Sequence, residues 1–246
     1  MDGEPVTAEP ARRVGRSVFT QAWEPTVFLH WPVDPDAAAR LMPKGCRPDT
    51  FEGLTYVGLI PLVIRRVRTL GTPPVPYLST FTELNVRLYS VDAAGRRGIV
   101  FLSLEAERLV PVLVAQATYG LPYKWAKMSY ENCGDEHTWH SVRRWPGPHQ
   151  AHAHVRVSVG APMVQPDPLA MFLTARWALH TTLPGGRSAR AATEHAVWGL
   201  HEATVDELDE TVIEAGGLPA PVGEPHVMFS PGVTARIGPP ERLERH

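Results

Sequence analysis

The chain has 246 residues with 43% hydrophobic and 20% charged side chains and a formal net charge of −2, an ordinary globular balance with enough apolar mass for one large core. That charge gives no electrostatic reason to expect nucleic acid or an anionic membrane as partner, and no stretch approaches the roughly 18 continuous apolar residues of a membrane span. The opening MDGEPVTAEPARRVGRSV has no apolar run, so neither signal peptide nor anchor is expected, and two distant cysteines, Cys46 and Cys133, fit a reduced cytoplasmic protein.

The 25 prolines punctuate short segments throughout, which suits a β-rich fold with many turns. SVFTQAWEPTVFLHW reads as the first strand, and DPDAAARLM follows as a helix with Asp34 as N-cap and Pro35 at the first helical position. TYVGLIPLVIRRVR, FTELNVRLYSV and RGIVFLSLEAERL are the next strands, the last two joined by a hairpin-type VDAAGRRG containing Gly95. HTWHSVRRW and AHVRVSVG continue the strand pattern. DPLAMFLTARWALH repeats the helix start with Asp167 and Pro168 and places Leu169, Phe172, Leu173, Arg176, Trp177 and His180 on one broad side. EATVDELDETVIEAGG reads as a third helix with the stripe Val205, Leu208, Val212 and Ile213, closed by Gly216 and Gly217, and HVMFSPGVTARI is the last strand. Residues 1–246 read as a single domain, an antiparallel barrel or sandwich with about three peripheral helices, with 1–16 and 239–246 expected to be flexible.

Familiar catalytic signatures are absent: there is no GxGxxG after a strand, no P-loop, no GxSxG and no HExxH. His152 and His154 share one strand face and His137 and His140 lie close together, but Arg156 and Ser158 continue the first face as a solvated exterior, so no metal is expected. FTELNVRLYSVD is more informative. Thr82, Leu84, Val86 and Leu88 fall on one face, and Phe81, Glu83, Asn85, Arg87 and Tyr89 on the other. Solvated faces seldom set aromatics at both ends of a charged row. The next strand sets Ile99, Phe101, Ser103 and Glu105 against Val100, Leu102, Leu104 and Ala106, so both faces of the hairpin read as at least partly buried, as in a barrel with a ligand cavity. Lys124 in GLPYKWAKM sits among Leu121, Tyr123, Trp125, Ala126 and Met128. Desolvation would lower its pKa and let the amine form a Schiff base; the competing reading, favoured on the residues alone, packs its stem on Trp125 with the head in water.

The blocks HWPVDPDAAARLMP, GLTYVGLIPL, FTELNVRLYSVDAAGRRGIVFLSLEAERL, GLPYKWAKM and HVMFSPGVTARI resemble, in order, those of the DUF2071 (YqjF-like) proteins. That resemblance implies the acetoacetate decarboxylase-like superfamily, a curved antiparallel barrel or cone around a small cavity. Glu83 matches the strand glutamate of acetoacetate decarboxylase. In the gapless match of LPYKWA to that enzyme's Pro-Lys-Lys segment, Tyr123 falls where the Schiff-base lysine belongs and Lys124 on its neighbour, which a strand turns to the opposite face. The implied enzyme acts on a carbonyl or carboxylate compound by decarboxylation, aldol, dehydration or isomerisation chemistry, without a cofactor. Arg87 would hold an anionic oxygen, Glu83 transfer a proton, Asn85 orient the substrate and Tyr123 donate a hydrogen bond, with Phe81, Tyr89 and Phe101 shaping the pocket. Lys124 would be an electrostatic aid or, less favoured, the amine nucleophile. The alternative is a metabolite-binding protein using the same cavity without turnover; self-association is left open.

Overall fold

The structure, a computed structural model, describes residues 3–243, apart from the side chains at positions 111, 112, 114 and 115. In chain order its elements are β1 (Phe19–Val33), α1 (Pro35–Ala39), β2 (Cys46–Pro48), β3 (Thr55–Thr69), β4 (Phe81–Asp92), β5 (Arg97–Ala106), α2 (Leu109–Tyr119), β6 (Tyr123–Cys133), β7 (Glu136–Trp145), β8 (His152–Pro162), α3 (Pro168–Thr174), β9 (Ala178–Leu183), β10 (Arg187–His195), β11 (His201–Glu210), α4 (Val212–Ala215), β12 (His226–Ser230) and β13 (Val233–Arg242). The fold is mainly β, with four short helices among the described residues.

The strands form one sheet that closes on itself twice. One ring runs β1–β3–β4–β5–β9–β10–β13 and back to β1, and the other runs β1–β3–β4–β5–β6–β7–β8–β11–β12 and back to β1. The pairs are antiparallel except β5 with β6 and β5 with β9. β1, β3, β4 and β5 are therefore a wall common to two chambers, and all of β4 is buried on both faces. Leu84, Val86 and Leu88 point into the β6–β8 chamber and pack with Trp139, Val155 and Val157, where Val212 and Ile213 of α4 cap the cluster. Glu83, Asn85 and Arg87 point into the other.

The hairpin at Gly95 is present as expected, with Asp92 Oδ1 accepting from the amides of Ala94 and Arg96 at 2.9 Å each. The simple alternation along β5 is not. Arg87 pairs with Phe101 and Val86 with Ser103, so Leu102 is an extra residue on β5. A bulge of this kind reverses facing beyond it. Ile99, Phe101 and Leu104 face the Glu83 chamber, whereas Ser103 and Glu105 turn into the β6–β8 side and meet Arg143.

Two expected helices are corrected in the same terms. The helix at Asp167 stops at Thr174, and Ala178–Leu183 is instead a strand paired with β10 across a turn of Gly185 and Gly186, both at positive φ. Residues 201–210 form β11, and only Val212–Ala215 is helical. The register of β11 on β8 shifts between Val205 and Glu207, so Val205 and Leu208 both reach the apolar core at a spacing that mimics a helical stripe. The helix α2 begins at Leu109, where the strand read from RGIVFLSLEAERL was expected to end, and fills a stretch to which the sequence reading assigned no helix. Its C-terminus depends on Gly120, at φ 63, where a Cβ would collide with the Thr182 carbonyl. Of the terminal stretches, Glu4 accepts from the Arg97 amide at 2.9 Å, and Glu241 and Arg242 continue the β13–β10 ladder.

Arg143 and Glu105 are fully buried, joined through Nη2 at 2.5 Å and Nε at 3.1 Å, with Ser103 Oγ accepting from Nη2 at 2.9 Å. Removing one partner strands the other charge in an apolar interior. Arg143→Ala is expected to lower the unfolding free energy by roughly 3–5 kcal/mol in urea titration; a loss below about 1 kcal/mol, the scale of an exposed pair, would contradict the burial described.

Candidate functional site

The first ring encloses a cavity of about 100 Å³. Strand parity places Glu83, Asn85 and Arg87 in it from the common wall. The facing side is built by Arg176, just after α3, and by Thr193, His195 and Trp198 at and beyond the end of β10.

Glu83 is 5% exposed and accepts a hydrogen bond from the Tyr123 hydroxyl at 2.8 Å. Burial pushes its carboxyl up to about 7, against the opposing pull of hydrogen bonds from Tyr123 and Asn85. A carboxyl titrating there can both accept and return a proton near neutral pH. The Tyr123 phenol is driven well above its ordinary value by burial and by the neighbouring Glu83, so it stays a neutral donor. Asn85 Oδ1 is buried without a hydrogen-bond partner and is free to accept from a ligand.

Arg87 supplies the positive charge. Its Nε and Nη2 lie 3.3 and 3.2 Å from the Tyr89 hydroxyl, and Nη2 donates to the Leu173 carbonyl at 3.1 Å. The guanidinium also lies 5.6 Å from the Phe28 ring centroid. Among the described residues no carboxylate pairs with it. Other buried arginines are neutralised: Arg176 by Asp49 at 2.5 Å and Arg143 by Glu105. A buried cation held by neutral acceptors has its charge available for an anion. Behind it, Tyr89 donates to the Leu173 carbonyl at 3.0 Å and meets His30 Nε2 at 2.6 Å. Burial, aided by the charge of Arg87, holds His30 well below its ordinary pKa.

His195 completes the far side. Its Nδ1 is 2.7 Å from the Ala196 carbonyl, so Nδ1–H donates there and Nε2 is left as an acceptor. Burial, with Arg87 adding to it, keeps its pKa low, and its ring packs 5.1 Å from Trp198.

The residues expected to form the site separate into three groups. Glu83, Asn85, Arg87, Phe101 and Tyr123 meet in the cavity. Phe81 lies outside it, on an apolar vestibule of about 230 Å³, and Tyr89, with 0% exposure, buttresses Arg87. Lys124 points elsewhere: Tyr123 pairs with Leu104 and Lys124 with Glu105, so Lys124 shares the face of the buried Glu105–Arg143 pair. Burial and the charge of Arg143 lower its pKa, and Glu105 raises it. Lys44, Lys124 and Lys127 are the three lysines of the sequence, and none lines this cavity or the vestibule. His154 instead pairs with Glu207 at 2.7 Å and His152 with Asp209 at 3.2 Å on the exterior. Among the described residues no cluster of three or more His, Cys, Asp or Glu is arranged to hold a metal. The sequence reading missed His195, Thr193 and Trp198 because it missed the β9–β10 hairpin, whose one local signal is LPGGR.

A model of the DUF2071 family, described as an uncharacterized conserved protein, matches residues 20–234. The uncharacterized protein YqjF of Bacillus subtilis (strain 168) is 32% identical over 214 residues, 87% of either chain. Among solved structures, the enduracididine biosynthesis enzyme MppR complexed with pyruvate aligns at TM-score 0.64 and 17% identity over 95% of this chain and 93% of that one. A second MppR structure holds the condensation product of pyruvate and imidazole 4-carboxaldehyde. Acetoacetate decarboxylase from Legionella pneumophila aligns at TM-score 0.63 and 14% identity, covering 99% and 96%. These likenesses show the acetoacetate decarboxylase-like fold.

Glu83 also makes stability depend on pH. Its carboxyl titrates at about 7 in the folded chain against an ordinary 4.5, so between those values the folded state keeps a proton that the unfolded state has lost. The associated stability is complete below the lower value and vanishes as pH rises through the upper one. Relative to Glu83→Gln, the wild-type protein should lose about 3 kcal/mol between roughly pH 4 and pH 8 in urea unfolding. A wild-type-minus-variant difference that stays constant with pH would show that Glu83 is not desolvated.

Proposed function

The chain belongs to the DUF2071 family, and on the geometry of its cavity we propose that it is an enzyme acting on a small carboxylate with an adjacent carbonyl, by proton transfer at carbon and without a lysine Schiff base. One observation carries this reading: Arg87, a buried cation unpaired by any carboxylate among the described residues, shares a cavity of about 100 Å³ with Glu83, whose carboxyl is raised to about 7. The cavity is well below the roughly 300–1,000 Å³ of pockets for drug-sized ligands, which favours a reacting group of few heavy atoms. MppR, on the same fold, binds pyruvate.

In this reading the substrate carboxylate pairs with Arg87. Ionised Glu83 removes a proton from the carbon next to the carbonyl. The C–H electron pair moves into the new C=C bond and the carbonyl pair onto oxygen, giving an enolate whose charge Arg87 offsets. Return of the proton from Glu83 reverses the step, and Tyr123 steadies the carboxylate between the two states. Aldol, dehydration and isomerisation reactions all draw on this transfer, and in decarboxylation the protonated carboxyl would quench the carbanion left by carbon dioxide. The step uses side chains alone, so no cofactor is invoked.

Exchange of the pyruvate methyl protons for deuterium, followed by proton NMR in heavy water, tests the step directly. Wild-type protein should exchange them, and Glu83→Gln should slow exchange by about 10²-fold or more. Arg87→Ala should weaken pyruvate binding roughly 10–100-fold, the loss of a hydrogen bond between charged groups. Binding without exchange at any pH would favour a metabolite-binding protein instead.

Borohydride added with pyruvate or a β-keto acid should leave Lys124 unmodified, because its strand parity turns it away from the cavity. An adduct mapped to Lys124 by mass spectrometry would restore the amine mechanism.

A further inference from the structure

The Glu83 cavity does not stand alone. The apolar vestibule of about 230 Å³ adjoins it, and Gln21, Leu121, Tyr123, Leu179 and Ile237 line both spaces. Tyr123 thus stands at their junction, with its hydroxyl fixed on Glu83. The vestibule walls include Phe19, Val67, Leu78, Phe81 and Tyr119, and among the described residues no charged side chain lines it. At its rim Val75 and Val110 are 55% and 51% exposed. Apolar side chains left in contact with water around a concave opening gain from being covered by an apolar group.

From this continuity we infer that the vestibule is the binding site for an uncharged apolar tail on the same substrate, so that the substrate class is a 2-oxo acid or related carbonyl carboxylate with an alkyl or aryl chain. This rests on the proposed reading of the inner cavity. The inner space takes the charged head, because that is where Arg87, hydrogen-bonded only to neutral acceptors, has no carboxylate partner among the described residues and Asn85 Oδ1 has no hydrogen-bond partner. The outer one excludes a phosphorylated, nucleotide or charged peptide tail, because a charge placed there would be desolvated with nothing to pair it. A sugar-like tail fits no better, since Gln21, Thr69, Thr72 and Ser79 are the main polar side chains set against a mostly apolar wall.

Calorimetric titration of straight-chain 2-oxo acids from pyruvate to 2-oxooctanoate, with wild-type protein and with Val75→Asp and Val110→Asp made singly, tests the inference. The two positions are exposed at the rim, so the substitutions leave the core and the Glu83–Arg87 row untouched. In the wild type, affinity should rise about fourfold per added methylene as the tail fills the vestibule. In each variant the gain with length should flatten while pyruvate affinity is unchanged. Pyruvate binding with no dependence on chain length, or full length dependence in both variants, would overturn the tail site and leave the reading of the inner cavity intact. Failure of every acid to bind would instead overturn the inner-cavity reading, and the tail site with it.

Discussion

A strand buried on both faces leaves no side for its polar groups to hide in water. β4 is in that position, because it stands in the wall common to two closed rings of strands. Its even residues meet an apolar core, and its odd residues carry a carboxyl, an amide and a guanidinium into an enclosed space. Desolvating such groups costs several kcal/mol unless they are hydrogen-bonded or neutralised. The surroundings satisfy Glu83 through Tyr123 and Asn85, and Arg87 through Tyr89 and the Leu173 carbonyl, but they do not neutralise Arg87. The contrast with Arg143, matched to a carboxylate in the neighbouring chamber, separates a cation that is structural from one that is available.

Which side chains reach which chamber is decided by counting residues along strands. The extra residue Leu102 sends Ser103 and Glu105 away from the cavity and turns Leu104 towards it. The parallel pairing of β5 with β6 carries the same facing across, so Tyr123 lands beside Glu83 and Lys124 beside Glu105. Local chemistry around Lys124, where apolar neighbours surround an amine, is overruled by this geometry. The half-buried lysine with a lowered pKa belongs to an ion cluster, not to the cavity.

Much of this was open to inspection in the sequence. The row Phe81–Tyr89 showed two opposed patterns, and its aromatic ends marked a wall. Gly95 marked the hairpin, and the resemblance of LPYKWA to the lysine segment set Lys124 one residue beyond the Schiff-base position, an offset that strand parity turns to the opposite face. What stayed hidden shares one cause, the loss of a clean period. β10 turns Ala189 and Ala191 inward with no exposure, small residues that leave no apolar alternation to detect. β11 breaks its period at a register shift and so imitates a helix. The consequence for the site was specific: the wall bearing Glu83, Asn85 and Arg87 was legible, and the wall bearing His195 was not.

The two walls are also joined unequally. β4 and β5 are paired along nearly their whole length, whereas β5 and β9 meet in the single parallel pair Ile99↔Leu179. The circumference of a barrel is set by strand number and stagger when every seam is fully laddered. A seam of one pair relaxes that constraint. The β9–β10 hairpin is therefore held to the ring mainly through the β10–β13 ladder, while Glu83, Asn85 and Arg87 keep their spacing on the fully laddered β4. The width of the chamber and the spacing of its charged groups are thus fixed by different seams of one sheet.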